Sequence, residues 1–248
     1  MRVAILADIH ANLEALEAVL EDAARQGCTK YACLGDLIGY NADAAACVDR
    51  VRSLDCPVVR GDFEETLREG PDFKGANPVA AFTFQRDWDQ LGSERRQWLC
   101  ELPITLQVDG VTLVHSSLDH PSDWNYVFSM RDVGSSLAYQ ETPVCFHGHT
   151  HFPRVFCSAE PQVEDLVPQV EELVPGHLKL DYKARYFINA GSVGQPKDGD
   201  PRACYVIHDL WQGTVTFRRV AYDVASAQRK VIDSGLPSLF AEWLADGR

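Results

Sequence analysis

Short apolar runs that each end on a metal-binding side chain constrain this chain more than anything else in it. Val3–Ala7 leads into Asp8-Ile9-His10, and Tyr31–Leu34 into Gly35-Asp36. Val111–Val114 ends on His115, and Val144–Phe146 runs through His147 into Gly148-His149-Thr150-His151. Runs this short, rich in Val and closed by Gly or polar residues, predict buried strands. Strands apolar on both faces belong to sheets covered by helices, and such sheets hold ligands beyond the carboxyl ends of their strands. The topology would then gather Asp8, His10, Asp36, His115, His149 and His151 in one crevice. One divalent ion takes about four to six ligands, so about six or seven N/O donors fit two ions sharing a carboxylate. A set without thiolates suits Mn, Fe, Zn or Ni. A lone histidine at a strand end is more often structural, but four of them in order with two aspartates predict a two-metal hydrolytic site.

The order D-x-H, G-D, H, G-H-x-H resembles the calcineurin-like metallophosphoesterase superfamily. Ile5–Asn12 is similar to the family's opening, with Ala11 where Gly is usual. Gly35–Tyr40 and Asn189–Pro196 resemble its small bacterial phosphodiesterase-like branch. The resemblance implies an α/β fold, a four-layer αββα sandwich of two mixed β-sheets flanked by helices. It implies dinuclear-metal-dependent hydrolysis of phosphate esters, phosphodiester or activated phosphomonoester, by a hydroxide bridging two divalent ions. Mn stands foremost, with Fe, Zn, Ni or Mg also suited. On the same resemblance Asp36 bridges the ions, Asp8, His10 and His151 hold one, and Asp62, His115 and His149 hold the other. The alternatives are a protein or nucleotide phosphatase of the superfamily, and a non-catalytic phosphate- or metal-binding homologue.

One block departs from the family pattern. Where G-N-H or G-N-C is usual, this chain has Gly61-Asp62-Phe63. An Asp oxygen ligates a hard or borderline ion as well as an amide oxygen does. It changes the charge, however: Asp8 and Asp36 against two dications leave +2, and Asp62 brings this to +1. Phe63 cannot protonate a leaving alkoxide, as a histidine there could. The expectation is a preference for good leaving groups such as phosphate, nucleotide or aryl oxygen. Asn12 and Phe63 are candidate substrate contacts, and Asn12 is equally suited to cap a helix. His120 is a candidate acid in the loop Ser116–Tyr126, where Trp124 and Tyr126 could stack a base or aryl group. His147 should face away from the crevice as a structural residue. Beyond the hydroxide no catalytic group is identified, and Ser192 lacks a flanking base.

The 248 residues suit one metallophosphoesterase domain spanning 1–248. Helices are expected from Leu13 to Gly27, at Asp43–Leu54, Ala225–Gly235 and Ser238–Ala245, with a third strand opening at Pro57. Further strands are expected at Tyr186–Asn189, Cys204–His208 and Thr214–Val220. Residues 64–101 read as helices that either cap the crevice or pack through Phe82, Phe84, Trp88 and Trp98. Residues 158–183 read as an acidic surface insertion or edge hairpin, with a near-repeat at 163–175. The net charge, 23 − 36 = −13, argues against an extended nucleic-acid surface but not against a small phosphorylated substrate met by bound dications. The eight cysteines form no CxxC pair and read as buried free thiols. No run approaches the ~18 apolar residues of a membrane span, and the first strand begins at Arg2, which together suggest a cytoplasmic protein without membrane partners.

Overall fold

Side chains of the first strand, β1 (Arg2–Leu6), alternate between two cores. Val3 and Ile5 face an apolar layer between two sheets, whereas Ala4 and Leu6 pack against helices. The computed structural model describes residues 1–70, 78–159 and 170–248. In the first sheet β1 lies between the parallel β2 (Lys30–Cys33) and the antiparallel β10 (Ala203–Asp209). β11 (Thr214–Val220) and β8 (His177–Lys179) complete it, in the order β2-β1-β10-β11-β8.

The second sheet has the order β3-β4-β5-β9-β6-β7. These strands are β3 (Thr105–Val108), β4 (Val111–Val114), β5 (Val144–His147), β6 (Arg154–Ser158), β7 (Val170–Leu173) and β9 (Arg185–Asn189). β4, β5 and β9 run parallel, so their carboxyl ends emerge together. Val144 and Phe146 of β5 join the layer between the sheets, while Cys145 faces outward.

Helices cover both outer faces. α1 (Leu13–Arg25) begins where the Asn12 side chain accepts from the Ala15 N–H at 3.1 Å, and it buries Leu16, Val19, Leu20 and Ala23 on the first sheet. α2 (Ala44–Arg52), α6 (Val224–Asp233) and α7 (Ser238–Asp246) share that core. The second sheet is covered by α5 (Met130–Tyr139), whose Val133 and Leu137 meet Cys145, Phe156 and Phe187. Two mixed sheets between helical layers therefore match the expected sandwich. Seven α-helices occur among the described residues, and none is long and apolar enough to cross a membrane.

Some expectations are corrected. The strand expected from Pro57 is a single parallel bridge, Val58 to Cys33, because the Arg60 N–H turns away to Pro103 O at 2.8 Å. α3 (Asp62–Arg68) follows at once. α4 (Pro78–Glu101) breaks at Gly92, whose φ of 64° is left-handed. It packs on α2 and α3 with Phe84, Leu91 and Leu99 buried, but Phe82, expected as an anchor, is 64% exposed. Of the near-repeat, 163–169 lie outside the described residues, and 170–173 form the edge strand β7. All eight cysteines are unpaired.

Candidate metal centre

The carboxyl ends of β1, β2, β4 and β5 converge, and each delivers the side chains that its sequence promised. Asp8, His10, Asp36 and His151 each bring one donor atom within 4.8 Å of the others. Asp36, Asp62, His115 and His149 form a second such group, so Asp36 belongs to both. In the first group His10 Nε2 lies 3.1 Å from His151 Nε2 and 3.5 Å from Asp36 Oδ2, with His151 Nε2 3.4 Å from Asp8 Oδ1. In the second, His115 Nε2 lies 3.3 Å from Asp36 Oδ2 and 3.2 Å from Asp62 Oδ1. His149 Nδ1 is 3.0 Å from Asp62 Oδ1. All seven expected ligand residues thus meet, Asp62 included.

Backbone conformation marks the same residues. Asp8, His10, Asp36, His149 and His151 all have positive φ, between 46° and 68°. Left-handed geometry costs a non-glycine residue free energy, and it persists where the surroundings over-determine it. Here the surroundings are hydrogen bonds between loops. The Asp8 N–H donates to Gly35 O at 3.1 Å and the His10 N–H to Asp36 O at 2.9 Å. Asp8 O accepts from the Gly194 N–H at 2.9 Å and from Ser192 Oγ at 2.7 Å. Glycines let these loops close: a Cβ on Gly61 or Gly148 would overlap the carboxylate of Asp36 or Asp8.

Each histidine has one nitrogen fixed by a backbone carbonyl. Nδ1–H donates to Ile38 O (2.9 Å) from His10, to Leu34 O (2.7 Å) from His115 and to Gln195 O from His151. His149 reverses the pattern and donates Nε2–H to Trp124 O at 2.9 Å. A carbonyl can only accept, so the inward nitrogens of His10 and His151, which burial keeps neutral, carry lone pairs. Two such lone pairs, on His10 and His151, face each other at 3.1 Å. That repulsive arrangement fits a cation held between them, with the carbonyls orienting the ligating rings.

Electrostatics point the same way. Burial pushes the Asp8 carboxyl up to about 7, and burial together with Asp62 holds Asp36 well above the usual carboxylate range. Burial pulls the His10 imidazole down to about 3 and His151 well below its ordinary value. At His115 burial also opposes charge, but Asp36 outweighs it and raises the imidazole. Burial likewise opposes ionisation of Asp62, but the adjacent imidazoles of His115 and His149 hold it low. Several carboxylates and neutral imidazoles without thiolates make a donor set that suits divalent borderline ions.

Other expected residues divide. Asn12 caps α1, and its amide donates to Gly194 O (2.9 Å) and Tyr222 Oη (3.3 Å). Both amide hydrogens and one lone pair of the amide oxygen are thus engaged within the protein. Phe63 is buried against His10, Tyr40 and Phe84, and its N–H donates to Asp36 Oδ1 at 3.1 Å. His120 is corrected: its side chain is 74% exposed, and among the described residues its ion pair is with neighbouring Asp119, at 3.6 Å. Tyr126 stacks on His149 with ring centroids 4.1 Å apart, and Trp124 stands edge-on to His115 at 6.0 Å. His147 packs on Phe187 at 4.4 Å, on the outer face as alternation required.

Two residues escaped the sequence reading. Buried Glu64 accepts from the N–H groups of Asp36, Leu37 and Gly61, each at 2.8 Å, and so clamps the two loops that carry Asp36 and Asp62. Its only signal was its place three residues after Gly61, at a helix start. Lys197 holds its Nζ 5.1 Å from the ring centroid of Tyr40, beside the first group.

Comparison with known proteins agrees with this geometry. A family model described as the calcineurin-like phosphoesterase superfamily domain matches residues 1–213. An uncharacterized protein of Methanocaldococcus jannaschii is 33% identical over 252 residues, 99% of this chain and 98% of its own. The crystal structure of a metallophosphoesterase from Sphaerobacter thermophilus superposes with a TM-score of 0.86 at 37% identity, covering 100% of this chain and 99% of that one. A hypothetical protein from Pyrococcus horikoshii shares the fold, with a TM-score of 0.80 at 20% identity over 100% of this chain and 98% of that one.

Proposed function

We propose that this chain, which belongs to the calcineurin-like phosphoesterase superfamily and is a hydrolase acting on phosphate esters, works as a dinuclear enzyme on small phosphorylated substrates. The observation that carries the reading is Asp36, shared between two groups of four donors. Asp8, His10 and His151 would hold one divalent ion, Asp62, His115 and His149 the other, and Asp36 both. Such a pair, Mn suiting the donor set, would supply a water made nucleophilic near neutral pH and would neutralise charge on the phosphoryl oxygens.

The chain's own residues do the rest. Backbone carbonyls aim the imidazoles, Glu64 holds the two loops in register, and Phe63 walls the His10 side with a ring that excludes water and cannot donate a proton. The leaving group therefore departs with little help, which favours phosphate, nucleotide or aryl oxygen over alkoxide. The half-exposed ring of Tyr126, stacked on His149, supports an aromatic or nucleotide leaving group. Eight unpaired thiols suit a reducing, cytoplasmic setting.

The test is hydrolysis of bis(p-nitrophenyl) phosphate and p-nitrophenyl phosphate by metal-stripped protein reloaded with Mn. Expected are two Mn per chain, turnover restored by metal, and a faster Asp62→Asn variant whose site is more positive. Stoichiometric binding of Mn with no turnover of either ester would favour a non-catalytic binding protein instead.

A further inference from the structure

Two other lysines of this protein form ion pairs. Lys230 Nζ lies 2.6 Å from Glu14 and 2.7 Å from Asp43, and Lys30 Nζ lies 3.1 Å from Asp109. Lys197 is different. Among the described residues its ammonium makes no ion pair and no hydrogen bond, and its recorded neighbour is the face of Tyr40. Tyr40 is itself buried and perpendicular to His10, with ring centroids 4.7 Å apart, so the ammonium is parked beside the first ligand group.

The loop that carries Lys197 is fixed on both sides. The Gly194 N–H donates to Asp8 O, Gln195 O receives His151 Nδ1–H, and Gln195 Nε2 donates to Arg248 O at 2.7 Å. Just beyond, Asp198 pairs with Arg219. The backbone position of Lys197 is thus set by the residues that set the centre, while its side chain stays half-buried with donors to spare. Burial lowers the pKa of its ammonium, and Asp8, Asp36 and Asp62 oppose that shift by favouring the charged form.

Charge explains why a free ammonium belongs here. Three carboxylates against two dications leave +1, one less than a centre with an amide in place of Asp62; Lys197 returns the count to +2. We propose that Lys197 is a substrate-binding residue: its ammonium, resting on Tyr40, takes up a non-bridging phosphoryl oxygen and offsets the charge of Asp62. Resting on the hydrolytic reading above, this assigns the centre a preference for dianionic phosphoryl groups, meaning monoesters and terminal phosphates, over monoanionic diesters.

The experiment compares wild type, Lys197→Met and Lys197→Arg, all Mn-loaded with metal content verified. It measures binding of inorganic phosphate by calorimetry, and kcat and KM for p-nitrophenyl phosphate and bis(p-nitrophenyl) phosphate. In Lys197→Met the phosphate Kd and the monoester KM should rise about tenfold, the loss of one charge-assisted bond, while the diester KM changes by less than about threefold. Lys197→Arg should restore most of the loss. Unchanged phosphate affinity in Lys197→Met, or an equal loss on both esters that arginine does not rescue, would overturn the assignment. If the wild type turns over neither ester, the hydrolytic reading fails on its own, and the phosphate titration still decides for or against Lys197.

Discussion

The two ends of the same strands make opposite uses of buried histidine. At the carboxyl ends lie Asp8 and His115; at the amino ends Val3, Ile5 and Val111 line a cavity of about 320 Å³ between the sheets, together with His208. At the candidate metal centre each of the four clustered imidazoles has one nitrogen on a backbone carbonyl and the other beside a side chain of the cluster. At the cavity end His208 is buried with Nε2 unpartnered, its ring against Phe146 at 5.4 Å. Left-handed non-glycines occur at both ends, but Asp55 and Asp109 at the cavity are turn residues, whereas Asp8, His10, Asp36, His149 and His151 belong to the two donor groups. A buried histidine signals a site when its neighbours orient it and supply charge, not merely when it is buried.

If the ends are separable, changes at one should leave the other intact. The largest effect should come from Asp36→Asn, which removes the carboxylate common to both groups. Hydrolysis should fall by about a thousandfold or more, since each ion contributes several kcal/mol of charge stabilisation. Metal analysis should show fewer than two Mn per chain; two tightly bound Mn in the variant would break the shared-ligand reading. At the other end, Ile5→Ala should cost about 3 kcal/mol of stability by enlarging the apolar void, read by urea denaturation. Its kcat should stay within about twofold of wild type, because Ile5 packs in the apolar layer between the sheets and belongs to neither donor group. A large loss of turnover there would show that the two ends are coupled.

Glu64→Gln sharpens the metal side of the comparison. The isosteric amide keeps bulk but replaces one acceptor by a donor facing the N–H groups of Asp36, Leu37 and Gly61. Mn affinity should drop about 10–100-fold, as it does when residues that orient ligands are changed. A competition titration with a chelator reads it, and unchanged affinity would mean the loops hold themselves.

The sequence made the parallel strand ends legible because buried strands have a strong local signature, and because ligands at strand ends need no further geometry to be gathered. It did not reveal β3, β6 or β8. Thr105–Val108 and His177–Lys179 are edge strands of three or four residues with exposed side chains, so hydrophobic burial leaves little pattern in them. Glu64 and Lys197 were missed for another reason. Their roles depend on partners 27 or more residues away, Leu37 and Asp36 for Glu64 and distant Tyr40 for Lys197, and a residue type alone does not announce such a partner. His120 erred in the opposite direction: its place in the loop after His115 suggested a role, but its side chain is 74% exposed and pairs with Asp119.

The smallest effect is a pH dependence at the cavity end. Burial holds the His208 imidazole down to about 4, below the ordinary value of 6.5, so the folded state binds fewer protons than the unfolded chain. The sign follows from linkage: stability is unaffected above about pH 6.5, falls as pH drops toward 4, and levels off below it. At about pH 5 the loss should be about 2 kcal/mol, and at neutral pH it should vanish. His208→Phe, which keeps an aromatic ring beside Phe146 and removes the titrating nitrogen, should flatten this part of the acid limb. Denaturation of chelated wild type and variant at pH 5 and pH 7 compares them without the metal centre's own proton release. A stability difference that is the same at both pH values would mean the imidazole charges without cost, through water admitted by the cavity, and the amino-terminal end would then be no drier than the metal centre it is contrasted with.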